Sequence, residues 1–192
     1  MNLRLVKHED AQVIADIYAP FISTTITFEN TAPDETEFKQ RIESIASIYP
    51  WIVLEDEGIV KGYAYLSTFN VRTAYQHSAD LSIYLSSDIK SKGYGKKMCE
   101  ALFEIAKAQN ICRIVSLITA ENTPSKLFHH KLGFECQGIL KNVGYKHDKW
   151  LDVSFYVKDI ETLAHPEPMI PVINIKEKAQ SILDLATQQL QN

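Results

Sequence analysis

The chain has 192 residues, 45% of them hydrophobic, enough for one well-packed domain with a small appendage and too few for two ordinary domains. Its 20 basic and 24 acidic side chains leave a formal charge of -4, which argues against a broad nucleic-acid footprint and confines any anion site to a local patch. The three cysteines, Cys99, Cys112 and Cys136, are spaced as neither a zinc-ligand pair nor a disulfide framework. No segment has the apolar length of a signal peptide or a membrane span, so the expectations are a cytoplasmic setting, no metal, no membrane and no nucleic-acid partner.

In chain order, "LRLV" from Leu3 to Val6 reads as a short strand. Val13, Ile14, Ile17, Tyr18 and Phe21 then recur at helical spacing. A second amphipathic helix follows an acidic, Pro33-containing start and places Phe38, Ile42, Ile45 and Ile48 on one side. "WIVLEDEGIVKGYAYLSTF" reads as a hairpin turning at Glu57 and Gly58, and "ADLSIYLS" as a further strand. After a lysine-rich loop, Met98, Ala101, Leu102, Ile105 and Ala106 form the stripe of a helix facing a core. "RIVSLITA" has the branched residues of a buried strand, and "ENTPSKLFHHKLGF" is a short helix stopped at Gly133. Two strands, around 138–145 and 150–157, complete the order β-α-α-β-β-β-α-β-α-β-β, an α/β (α+β) sheet with helices on its faces. This main domain spans 1–158. The segment 159–172 holds the prolines of "HPEPMIPV" and reads as an extended linker. Residues 173–192 carry Ile175, Ala179, Ile182, Ala186 and Leu190 as one apolar stripe, which needs cover from its own domain or from a partner subunit; periodicity does not choose between them.

The loop "SDIKSKGYGKK" sits at a strand-to-helix junction and carries Lys90, Lys92, Lys96 and Lys97 around Gly93 and Gly95. Its spacing is not that of a Walker loop, and a dinucleotide fingerprint would need a third glycine at Met98, which belongs to the apolar stripe. What remains is a set of backbone amides at a helix start, able to cradle a pyrophosphate, or else a solvated turn with surface lysines.

"KSKGYGKK" following "LSIYL" resembles the pyrophosphate loop of GNAT-type acetyl-CoA-dependent acyltransferases, with Lys90 where Gln or Arg is usual. "YPWIVLEDEGIVKGYAY", "VRTAYQHSADLSIYLS", "NTPSKLFHHKLGF" and "GYKHDKWLDVSFY" are similar to the phosphinothricin N-acetyltransferase branch, from Leu3 to Val157 and not beyond. The resemblance implies a mixed, mostly antiparallel sheet splayed at its centre, with the pantetheine arm of acetyl-CoA in the gap. Ile83, Tyr84 and Leu85 would offer it backbone hydrogen bonds. Ser91, Lys92, Gly93, Tyr94, Gly95 and Lys96 would receive the pyrophosphate, and Asn122 and Ser125 would contact the arm from the neighbouring loop.

An amine attacks a thioester only as free base, so a proton acceptor must lie beside it. The position that carries glutamate in the family is Asp80 here, shorter by one carbon. His129 falls where the branch has histidine near the departing sulfur. For the acceptor, Arg72 can grip an acidic group with paired hydrogen bonds, Tyr75 adds a hydroxyl and Phe28 a wall. The resulting expectation is transfer of acetyl from acetyl-CoA to the α-amino group of a small amino acid or analogue such as phosphinothricin or methionine sulfoximine, by a homodimer. Two other readings are a CoA-binding module without turnover and an acetyltransferase for peptide or protein N-termini.

Overall fold

A computed structural model describes residues 1–191. Its elements are β1 (Asn2–Leu5), α1 (Ala11–Tyr18), α2 (Glu35–Ile45), β2 (Trp51–Asp56), β3 (Ile59–Thr68), β4 (Ser78–Leu85), α3 (Tyr94–Ala108), β5 (Arg113–Thr119), α4 (Thr123–Lys131), β6 (Glu135–Lys146), β7 (Lys149–Asp159) and α5 (Lys176–Gln191). Short 3-10 turns lie between several of them. The strands form one seven-stranded sheet in the order β1-β2-β3-β4-β5-β7-β6, antiparallel everywhere except between β4 and β5.

Local chemistry accounts for the element ends. Asp34 caps α2 by accepting a hydrogen bond from the Glu37 amide at 2.9 Å. The β2–β3 hairpin turns on two left-handed residues, Glu57 (φ 48°) and Gly58 (φ 83°), a twist that matches the strands it joins. Gly133 (φ 83°) ends the α4 segment in the left-handed position the sequence predicts. Helix α2 stops at Ile45, so Ile48, expected on its apolar side, lies beyond it and is exposed.

Alternation along each strand divides the core in two. Leu3, Ile52, Leu54, Ala64, Leu66, Ala79 and Leu81 face α3 and α5. Trp51, Val53, Tyr63 and the buried residues of α1 and α2 make the opposite layer, and Tyr65 and Tyr84 pack against it. Helices on both faces of a mixed sheet are the expected architecture.

The two alternatives left open for the terminal helix are now resolved. Helix α5 packs on its own domain, against α3 and β1, with Ala179 and Leu183 fully buried. Ile175, Ile182, Ala186 and Leu190 pack around them, so the stripe is as expected except that Leu183, its deepest residue, lay outside the series. The Leu3 amide donates to Thr187 Oγ1 at 2.9 Å, fastening the helix to the edge strand. The proline-rich segment is extended and tied down along its second half: the amides of Ile170 and Val172 donate to the carbonyls of Gln109 and Ile48, at 3.0 and 2.9 Å. The fully buried Gln109 side chain donates to Ile48 and Ile170 carbonyls at 2.7 and 2.8 Å. Among the described residues, no helix is long and apolar enough to cross a membrane.

Candidate active site

Strands β4 and β5 pair only over Ser78–Asp80 with Arg113–Val115. Beyond that point β4 continues to Leu85 along β3, and β5 continues to Thr119 along β7, so their facing edges part. In an antiparallel ladder successive residues turn their main-chain groups to opposite neighbours. The Leu66 amide bonds to Pro50 on the β2 side and the Ser86 amide to Lys61 on the β3 side, which fixes the phase. Ile83 and Leu85 therefore turn their main-chain groups into the gap, whereas those of Tyr84 pair with Tyr63. Of the expected triplet, Tyr84 turns its backbone to β3 and packs its ring against Tyr18, Phe21 and Tyr63.

The gap opens into a cleft of about 510 Å³. Ile83, Tyr84, Leu85, Ser91, Asn122, Ser125 and His129, all expected at the coenzyme or the sulfur, line it together with Lys90. Lys92, Gly93, Tyr94, Gly95 and Lys96 are outside its lining, on the loop and first turn of α3 that follow Ser91. There Ser91 (φ 63°) and Gly93 (φ 86°) are both left-handed, after an extended Lys90 (φ -61°, ψ 153°). The amides of Lys96 and Lys97 turn back to the Gly93 carbonyl at 3.1 and 3.3 Å, and those of Ser91 to Gly95 have no acceptor among the described residues. Such a concave run of free amides at the positive end of a 15-residue helix suits a phosphate. Gly95 lets the helix approach: a Cβ there would already lie 3.4 Å from both Ile83 and Leu85 side chains. The lysines diverge. Lys96 and Lys97 reach Glu100 at 3.7 and 3.4 Å, and Lys90 lies over the Phe21 ring, 5.1 Å from its centre.

Asn122 both caps α4, its Oδ1 accepting from the Ser125 amide at 3.2 Å, and lines the cleft with the rest of its amide. One turn on, His129 is 4% exposed and its Nδ1 lies 2.8 Å from the Ser125 carbonyl oxygen. A carbonyl only accepts, so Nδ1 carries the proton and the neutral ring holds its lone pair on Nε2, which is buried without a partner. Burial lowers its pKa and keeps the ring neutral. Asp80 stands where β4 and β5 part, with Oδ1 buried and unpartnered. Burial raises its pKa to about 6, offset in part by a bond from the Leu81 amide. Ser116 on β5, 2% exposed, also lines the cleft with an unpartnered hydroxyl. No motif marks Ser116; the available signal was one hydroxyl inside the otherwise apolar run "IVSLI".

A second cavity, of about 380 Å³, lies on the α1–α2 face. Phe28 lines it with Tyr18, Phe38, Tyr63, Tyr65 and Tyr84, and Glu29 and Arg41 are its charged groups. Tyr84 lines both spaces; Asp80 lines neither, and its charge acts on the Tyr65 hydroxyl of the aromatic cavity. Arg72 and Tyr75 line neither cavity. They stand on the exposed β3–β4 connection, Tyr75 edge-on to Phe69, and the Arg72 guanidinium makes no bond among the described residues. The family resemblance thus pointed to Phe28, which lines the aromatic wall, and left Glu29 unnoticed beside it. No group of three or more His, Cys, Asp or Glu side chains among the described residues is arranged to hold a metal ion.

A parallel pair that parts to admit an acyl carrier, with free amides beside it, defines an acyl-coenzyme transferase class of site, and the chain belongs to the acetyltransferase (GNAT) domain family, whose model matches residues 3–155. Within that family it is 32% identical to the phosphinothricin N-acetyltransferase of Streptomyces viridochromogenes over 176 residues, 91% of this chain and 96% of that one. That span exceeds the Leu3–Val157 range assigned from sequence, so the similarity runs beyond the main domain. It is 31% identical to the L-methionine sulfoximine/L-methionine sulfone acetyltransferase of Pseudomonas aeruginosa, covering 76% of this chain and 87% of that one. Among solved structures, the phosphinothricin acetyltransferase of Sinorhizobium meliloti in complex with AcCoA superposes with a TM-score of 0.81 at 34% identity, covering 88% of this chain and 92% of that one.

Proposed function

We propose that the protein transfers an acetyl group from acetyl-CoA to the α-amino group of a small amino acid or analogue of the phosphinothricin or methionine sulfoximine kind. The observation that carries this reading is the buried, half-unpartnered Asp80 at the vertex where β4 and β5 part. With a pKa of about 6 it is a carboxylate at neutral pH and a stronger base than an ordinary aspartate. The incoming ammonium loses its proton toward Asp80, directly or through water, and the free amine attacks the thioester carbon. The C–N bond forms, the C–S bond breaks, and a proton returns to the sulfur. Nε2 of His129 holds a lone pair, so His129 takes part first as acceptor and only then, once protonated, as donor to sulfur. Ser116 supplies a hydroxyl donor in the same wall.

Coenzyme contacts are assigned to the main chain of Ile83 and Leu85, the ring of Tyr84, the free amides from Ser91 through Gly95 with the Lys96 side chain beside them, and Asn122 with Ser125. The unengaged guanidinium of Arg72, with Tyr75, supports a role in gripping the acceptor's acidic end from the β3–β4 connection. Free Cys99, Cys112 and Cys136 support a cytoplasmic setting. A homodimer is supported by the outer strand pair, where Ile139, Leu140, Val143, Tyr145 and Trp150 are each about half exposed. The expected mass in solution is that of two chains, and Val143→Glu should halve it.

Free thiol released from acetyl-CoA, followed across a panel of amino acids and N-terminal peptides, tests the activity. Release with amino-acid analogues supports it. Coenzyme binding without release for any acceptor would indicate a non-catalytic module, and release with peptides alone would make the chain an N-terminal acetyltransferase. Asp80→Asn should lower kcat by roughly 10²–10⁴ while leaving coenzyme affinity unchanged.

A further inference from the structure

We propose that the C-terminal segment takes part in acceptor binding, with Gln76 as a positioning residue that ties the β3–β4 connection, and with it Arg72 and Tyr75, to Met169; this rests on the acetyl-transfer reading above and on the place it gives Arg72. Asp80 pairs with Ser67, the last residue but one of β3, so the connection leaves the sheet beside the rung that carries the base. Arg72 and Tyr75 are borne on the chain between those two strands.

Within the connection the bonds are local. The Arg72 amide donates to Asn70 Oδ1 at 3.0 Å, and the amides of Tyr75 and Gln76 turn back to the carbonyls of Arg72 and Thr73. Every side chain from Val71 to Gln76 is exposed. Among the described residues, residues 70–76 receive one hydrogen bond from elsewhere in the chain: the Met169 amide donates to Gln76 Oε1 at 3.1 Å. That donor is held on both sides. The Pro168 carbonyl accepts from Asn110 Nδ2, and the Ile170 amide donates to the Gln109 carbonyl, each at 3.0 Å. The same α3–β5 turn holds the stem of the connection: His77 Nδ1 donates to the Asn110 carbonyl at 2.8 Å, and the His77 carbonyl accepts from the amides of Cys112 and Arg113. One clamp thus joins the start of β4, the α3–β5 turn and the proline-rich segment, and Gln76 extends it to the chain that bears Arg72. A loop ordered before the acceptor arrives loses less freedom on binding, so the bond favours acceptor affinity and leaves the coenzyme contacts untouched.

Gln76→Leu removes the accepting oxygen at an exposed position. Met169→Pro removes the donor in a segment that is already extended and has prolines at 166, 168 and 171. Each should raise the KM for the acceptor about threefold to tenfold, with kcat and the KM for acetyl-CoA unchanged. Both delete the same bond, so the double variant should be no worse than either single one. A merely structural role would raise both KM values together, or give effects that add in the double variant. Gln76→Leu decides alone if Met169→Pro does not fold. An unchanged acceptor KM in Gln76→Leu, additive effects, an equal rise in the KM for acetyl-CoA, or an acceptor KM that Arg72→Ala leaves unchanged would overturn the inference and leave acetyl transfer standing. No thiol release with any acceptor would overturn the acetyl-transfer reading itself, and the inference with it.

Discussion

Asp80 carries a charge in a place that resists charge, and both its chemistry and its cost follow. Its pKa in the fold, about 6, lies above the ordinary 3.8, so ionisation opposes folding. The penalty is absent below pH ~3.8, grows as the pH rises, and levels off above the folded value at about 3 kcal/mol, from 1.36 kcal/mol per unit. Asp80→Asn is therefore expected to be the more stable protein at pH 7.5, by up to that amount, and to show no advantage at pH 3.5. Chemical denaturation at the two pH values checks this. Under the mechanism proposed above, activity runs the opposite way: kcat/KM should rise through pH about 6 and then level, because a carboxylate accepts a proton only when ionised. His129 has its pKa lowered, so its neutral form favours the fold; that contribution is complete above pH ~6.5 and falls away in more acid solution. Neither role was legible from the residues alone, since an acid at a strand start and a histidine near a helix end have ordinary structural uses. The resemblance pointed to both. What it could not give was the tautomer of His129, which depends on one carbonyl four residues earlier.

The elements were more legible than the contacts between them. Helical periodicity near 3.6 located the long helices, and branched residues, alternation and turn signals located the strands. The close approach of the loop before α2 to β6 left no such trace. A Cβ on Gly144 would fall 2.3 Å from the Phe28 ring, inside any allowed contact. Gly144→Ala should therefore displace Phe28 from the wall of the aromatic cavity and raise the acceptor KM severalfold, with the KM for acetyl-CoA unchanged. Steady-state kinetics in each substrate separates the two. Gly93 is constrained for another reason: at φ 86° an added side chain meets open space but a strained backbone. Gly93→Ala should weaken coenzyme binding about tenfold by shifting the loop amides, and isothermal titration with CoA would show it.

At the scale of the molecule, the appendage inferred from the change in composition after Asp159 is part of the main core. An apolar stripe says only that something covers it, which is why its place on α3 and β1 could not be read in advance. Leu183→Ala should cost about 2–5 kcal/mol, as for other fully buried leucines, and lower the midpoint of thermal unfolding of the whole domain in one transition. A separate, earlier transition would mean that α5 folds independently of the sheet.

The parted strands have one more consequence. A sheet that pairs β4 with β5 over three residues and then stops leaves an unclosed seam through the middle of its own core. A bound pantetheine arm would act as a surrogate length of strand, so coenzyme is part of the folding equilibrium as well as of the reaction. At a hundred times its dissociation constant it should add about 2.7 kcal/mol to stability by mass action. Hydrogen exchange would locate the gain. The amides of Ile83 and Leu85 should exchange quickly in the free protein and slow on coenzyme binding, while that of Tyr84, already paired to β3, should be slow throughout.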